Sequence, residues 1–182
     1  MPPSNLPAQW SFLAKEPGPK MLLAALETYG TKEFVGSANN PVIMQWVKFI
    51  QKDTGDKLNY NADSIPWCGL AVGYWACKAE KVPPLTLLWA RDWLNFGKKA
   101  DIPMLGDVMV FKRGNGGHVG LYVGENKLSY FILGGNQNDS VSIKPCAKNR
   151  FLGARRQYKN IPPNVRKILV SGDGRIDGGS EA

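Results

Sequence analysis

Gly106-Asp107-Val108-Met109-Val110-Phe111-Lys112-Arg113-Gly114-Asn115-Gly116-Gly117-His118-Val119-Gly120-Leu121-Tyr122-Val123 is the stretch on which the fold turns. Two β-like runs, 107–112 and 118–123, flank a segment of turn residues, the pattern of an antiparallel hairpin. Similar short runs follow at 128–133, 141–144 and about 151–155, separated by turns such as Gly124-Glu125-Asn126-Lys127. Before Pro103 the periodicity is helical. Residues 20–29 place Met21, Leu22, Ala25, Leu26 and Tyr29 at helical spacing and stop at Gly30. Asn39-Asn40-Pro41 reads as a cap with proline at the first helical position, opening a helix to about residue 52. Its apolar face is Val42, Ile43, Trp46, Val47 and Ile50. A third helix is predicted over 66–80, apolar almost all round and therefore buried, and a short fourth over 90–96. Helices first and an antiparallel meander after them predict an α+β domain.

A chain of 182 residues with 43% hydrophobic and 21% charged residues fits one globular domain. No segment approaches the ~18–20 apolar residues of a membrane span. The start, Met1-Pro2-Pro3-Ser4, has neither a basic region nor an apolar core, so synthesis in the cytoplasm without a signal peptide is expected. Three cysteines imply no disulfide framework. The expected organisation is an irregular N-terminal arm over 1–19, a domain over 20–158 and a basic, flexible tail over 159–182. The formal charge of +8 is concentrated late: residues 144–182 hold nine Lys/Arg against three Asp/Glu. That end suits anionic polymers, whereas the sequence lacks an aromatic-basic or recognition-helix pattern for nucleic acid.

His118 is the only histidine. Imidazole acid–base chemistry therefore runs through this residue, and a centre with two or three histidines from one chain is excluded. The strand pattern puts Val119, Leu121 and Val123 on one face and His118, Gly120 and Tyr122 on the other, with Gly120 leaving space beside the imidazole. Cys68 in Pro66-Trp67-Cys68-Gly69 opens the apolar helix, where free N–H groups and the helix dipole favour a thiolate over its usual pKa of ~8.5. The same N–H groups suit an oxyanion, and Gly69 admits close approach of a substrate. Leu133-Gly134-Gly135-Asn136-Gln137 ends the strand after His118, so antiparallel pairing brings Asn136 or Gln137 beside the imidazole, where an amide oxygen fixes its tautomer.

These motifs, together with Lys32-Glu33 and Ala90-Arg91-Asp92-Trp93, resemble the papain-like amidases of the NlpC and CHAP type over residues 21–156. The likeness is greatest to the phage and bacterial branch with a Leu-Gly-Gly-Asn-Gln signature. The resemblance implies a papain-like α+β fold, with a buried nucleophile helix on an antiparallel sheet. It implies Cys68 as nucleophile, His118 as general base and acid, and Asn136 as the orienting residue, with Gln137 second for orientation or substrate contact. A glutamate common just before that asparagine in CHAP domains is replaced here by Gly134-Gly135. The implied substrate is peptidoglycan, cut at an amide of the stem peptide, of a cross-link, or between muramic acid and L-alanine. No cofactor is implied. Trp67, Tyr60 and Trp93 are candidates to line the groove, or to fill the core, and Asp63 is a candidate cap for the helix at Pro66. The enzyme would reach the wall after release or delivery.

Two other readings compete. Cys68, Cys77, Cys146 and His118 form a formal zinc set, but nine residues turn a helix by roughly 900°, putting Cys68 and Cys77 on opposite sides. Asp173-Gly174-Arg175-Ile176-Asp177-Gly178 lacks the ligand series of a calcium loop, so no metal is expected. The alternative function is a non-catalytic wall-binding or phage structural module on the same scaffold.

Overall fold

The computed structural model describes residues 5–158 and 160–171. Helices α1 (Lys20–Glu27), α2 (Pro41–Thr54) and α3 (Cys68–Lys78) precede strands β1 (Lys98–Lys99), β2 (Val108–Arg113), β3 (Gly116–Glu125), β4 (Ser129–Gly134), β5 (Ser142–Ala147) and β6 (Phe151–Arg156). The strands make one antiparallel sheet in the order β1-β6-β2-β3-β4-β5. The architecture is α+β, with a β2–β5 meander and β6 returning to pair with β2.

Local chemistry explains the helix boundaries. The Asn40 side chain accepts the Val42 N–H at 2.8 Å, Pro41 follows it, and Gly55 closes α2 with φ 78°. Ile43, Trp46, Val47 and Ile50 are buried, whereas Val42 in the first turn is exposed. In α3 the residues Cys68–Gly73 and Trp75–Cys77 are all buried, because the helix touches α1, α2 and β3. The indole N–H of Trp75 donates to the Thr28 hydroxyl at 3.0 Å, satisfying both polar groups in the core. The fourth helix is a 3₁₀ turn over Ala90–Asn95. No described helix is long and apolar enough to cross a membrane.

Both expected termini are revised. Within the supposed irregular arm, Ala8–Lys15 is a 3₁₀ helix whose Trp10 and Leu13 are buried, Trp10 lying 5.3 Å from the Phe131 ring. Within the supposed flexible tail, Val165, Ile168 and Val170 are buried, and Leu169 forms a β-bridge with Glu125 at the end of β3. Glu125 exchanges backbone hydrogen bonds with Ile168 and Val170, and the Tyr122 hydroxyl donates to the Ile168 carbonyl at 3.2 Å. Part of the tail's basic charge is spent internally: Lys167 pairs with buried Glu125, and Arg166 with Glu16. Residues 172–182, including the segment 173–178, lie outside the described residues.

Candidate functional site

Cys68 is the first residue of α3, with Trp67 as its N-cap. The Ala71 N–H donates to the Trp67 carbonyl at 3.0 Å, so the N–H groups of Cys68, Gly69 and Leu70 precede the helical ladder. Burial pushes the Cys68 thiol pKa up. The N–H of Val119, the positive charge of Arg113 and the N–H groups of Gly69 and Cys68 oppose that rise without overcoming it. The resting group is therefore a thiol surrounded by donors suited to a thiolate. Gly69 serves a different purpose from the one expected. A Cβ there would lie 2.3 Å from the Leu87 carbonyl oxygen, so the protein's own 86–89 turn fills the space expected for substrate.

His118 lies directly opposite Phe111 across the β2–β3 pair. Its strand face is covered rather than open, and only 2% of the residue is exposed. The Nε2 atom lies 3.0 Å from Gln137 Oε1. The Gln137 amide orientation is set elsewhere: its NH₂ group donates to the carbonyls of Ser142 at 2.5 Å, Ile132 at 3.1 Å and Gly134 at 3.3 Å. Since Oε1 is thereby the acceptor, His118 donates from Nε2, and its basic nitrogen is Nδ1. Nδ1 is buried and has no hydrogen-bond partner among the described residues. No hydrogen bond joins it to Cys68, although the thiol faces the N–H of Val119, the next residue along β3.

Burial and the nearby Arg113 and Arg150 charges depress the His118 pKa from 6.5 to about 4, against a smaller upward pull from Gln137. The unfolded chain therefore binds the extra proton first as pH falls. His118 is expected to cost about 3 kcal/mol of stability progressively between pH 6.5 and 4, none of it above that window. Denaturant titrations of the protein and a His118→Gln variant across that range test this: the variant should lose less stability on acidification.

Of the two neighbouring amides expected near His118, it is Gln137 and not Asn136 that reaches the imidazole. Asn136 sits in the left-handed region with φ 54°, as a turn residue, while the next residue, Gln137, turns inward and reaches His118. Gly135 allows this loop to press on the start of α3. A Cβ at Gly135 would lie 2.7 Å from the Ala71 Cβ and 2.8 Å from the Trp67 ring. Gly135→Ala is expected to cost about 1–3 kcal/mol through overpacking, read as a lowered melting temperature.

Trp67 and Trp93 are fully buried and Tyr60 nearly so; their side chains build the core and the loops around the site rather than an open groove. The Trp67 indole donates to Glu33 at 2.9 Å, that of Trp93 to the Leu87 carbonyl at 2.8 Å, and the Tyr60 hydroxyl to the Ile65 carbonyl at 3.0 Å. Asp63 is no cap for α3; its carboxylate accepts the N–H groups of Phe34 and Asn40, tying down the loop before α2. Arg113 and Arg150 act on the site through their charge, a role visible only once the hairpin and β6 are assembled.

Compared with known proteins, the sequence matches no protein-family model and no curated protein. Among the described residues, no group of three or more His, Cys, Asp or Glu is placed to hold a metal ion.

Proposed function

We propose that this protein is a cysteine-dependent amidase of papain-like architecture that hydrolyses an amide bond of peptidoglycan. The observation that carries the reading is the Gln137–His118 hydrogen bond. It fixes the imidazole with Nδ1 free, one residue from the N–H that faces the Cys68 thiol.

In this mechanism Sγ and Nδ1 close on each other as substrate binds, and Nδ1 takes the thiol proton. The thiolate attacks the amide carbonyl, and N–H groups at the start of α3 receive the developing oxyanion. The imidazolium gives its proton to the departing amine, the C–N bond breaks and a thioester remains. Water, deprotonated by Nδ1, then releases the carboxylate and restores the thiol. No cofactor enters these steps. The enzyme acts on the wall after delivery or release, with anionic wall polymers as additional partners of its basic C-terminal end.

Digestion of purified peptidoglycan with mass spectrometry of the products tests this. The expected result is paired new amines and carboxylates with intact glycan strands; an unchanged muropeptide profile would overturn it.

One observation favours a second reading, a non-catalytic wall-binding or phage structural module. Cys68 and His118 are only 5% and 2% exposed, and no hydrogen bond joins them. Under that reading wall fragments bind equally to the protein and to its Cys68→Ala variant, and neither generates new termini.

A further inference from the structure

The β2–β3 hairpin that leads into His118 is ringed by positive charge. Lys112 and Arg113 lie on its first strand, Arg91 reaches it from the 3₁₀ turn, and Arg150 reaches it from the residues before β6. All four are exposed, and none forms an ion pair with a carboxylate among the described residues.

Two of the arginines are held in a particular way. Arg91 Nε donates to the Gly116 carbonyl at 2.9 Å, and Arg150 Nε donates to the Lys112 carbonyl at 2.8 Å. Anchoring through Nε restrains each guanidinium while leaving its terminal NH₂ groups available to fork around a two-oxygen anion. Among the described residues the other exposed arginine, Arg166, is already engaged by Glu16. The Arg91 side chain also lies against Gly117, where a Cβ would meet its Cγ at 3.0 Å, so one of these forks sits beside the residue preceding His118.

We propose that Arg91, Arg113 and Arg150 form a carboxylate-recognition rim, selecting peptide substrates with a free carboxylate close to the scissile amide. The proposal rests on the amidase reading for the word substrate, but the binding it requires does not depend on turnover. A planar carboxylate matches a restrained guanidinium fork better than it matches a diffuse cationic surface. The cations are gathered at one hairpin rather than spread along a stripe, which favours a short anionic group over a long polyanion.

The test uses the Cys68→Ala protein, so that binding is read without hydrolysis. Amide chemical shifts are followed by NMR during titration with a soluble muropeptide bearing free carboxylates, with the same muropeptide amidated, and with poly(glycerol phosphate). The proposal expects shifts around residues 112–118 with the free-carboxylate peptide and at least ten-fold weaker binding of the amidated one. Arg91→Gln, Arg150→Gln and Arg113→Gln should each weaken the carboxylate peptide several-fold while leaving the amidated peptide unchanged. Arg91→Lys and Arg150→Lys should recover only part of the loss, because the charge returns without the fork. Lys99→Gln, on distant β1, should change nothing. Equal binding of both muropeptides, or binding indifferent to the three arginines, would overturn the proposal. So would shifts at the hairpin with poly(glycerol phosphate) alone, which would assign the charge to wall-polymer phosphate. In the catalytically intact protein Arg91→Gln should raise KM at near-constant kcat, whereas Arg113→Gln and Arg150→Gln should also shift the pH profile of kcat, because both charges act on His118. If carboxylate peptides bind as described yet no amide is ever cut, the amidase reading fails and the rim survives.

Discussion

On the proposed amidase mechanism, alanine in place of His118 is expected to lower amide hydrolysis by about 10³-fold or more, with the fold retained. The magnitude follows from the sequence, since no second histidine can take over the proton transfers. His118→Ala strips Gln137 Oε1 of its partner, a cost of about 1–3 kcal/mol. It also removes a buried imidazole that destabilises the protein in acid. Cys68→Ala is the cleaner companion: it deletes the proposed nucleophilic sulfur and leaves a small apolar side chain at the start of α3. It should abolish turnover to a similar degree with little effect on melting. Both are read by chromatography of muropeptides after prolonged digestion, with circular dichroism to verify the fold. Full activity in either variant would remove the thiol–imidazole mechanism. The depressed His118 pKa adds a pH signature: the base stays neutral down to about pH 4, so activity should persist at pH 5, where an ordinary imidazole is mostly protonated.

Gln137→Leu is expected to reduce kcat by about 10²-fold while KM changes little, and Asn136→Ala to leave both within a few-fold. Leucine fills similar space but cannot accept the Nε2 proton, so nothing holds the imidazole in the tautomer with Nδ1 unprotonated. It also leaves the carbonyls of Ile132, Gly134 and Ser142 without their shared donor, so lower stability should accompany the kinetic loss. Kinetics measured well below the melting temperature separate the two effects. A further check is the tautomer itself: ¹⁵N chemical shifts of His118 should report a protonated Nε2 in the parent protein and a mixture in the leucine variant. If Asn136→Ala instead carries the kinetic loss, the orienting role belongs to Asn136, as the family resemblance implies.

Much of the chain's order is written in local pattern. The Asn40-Pro41 start and Gly55 stop of α2, the all-round apolar α3 and the five main strands follow from capping chemistry and from the change of period after Pro103. Elements that depend on partners distant in sequence were less legible. Trp10, Leu13, Ile168 and Val170 sit in proline-rich or basic segments that look loose when read alone, yet their burial decides their structure. Likewise Trp67, Trp93 and Tyr60 look like groove residues beside a reactive cysteine, and neither composition nor spacing shows which way an aromatic ring faces.

By itself the sequence determined the α+β order of elements and the solitary imidazole. It also put a cysteine at the start of an apolar helix and two neighbouring amides, Asn136 and Gln137, at the end of the strand after His118. Only the tertiary structure decided between those amides. Asn136 takes the left-handed turn conformation, and Gln137 is captured by three carbonyls that converge from β4 and β5. The physical reason is general to the site. Period and capping are encoded within a few residues, whereas a tautomer, a pKa or a filled space beside Gly69 depends on groups that the fold brings together from separate elements.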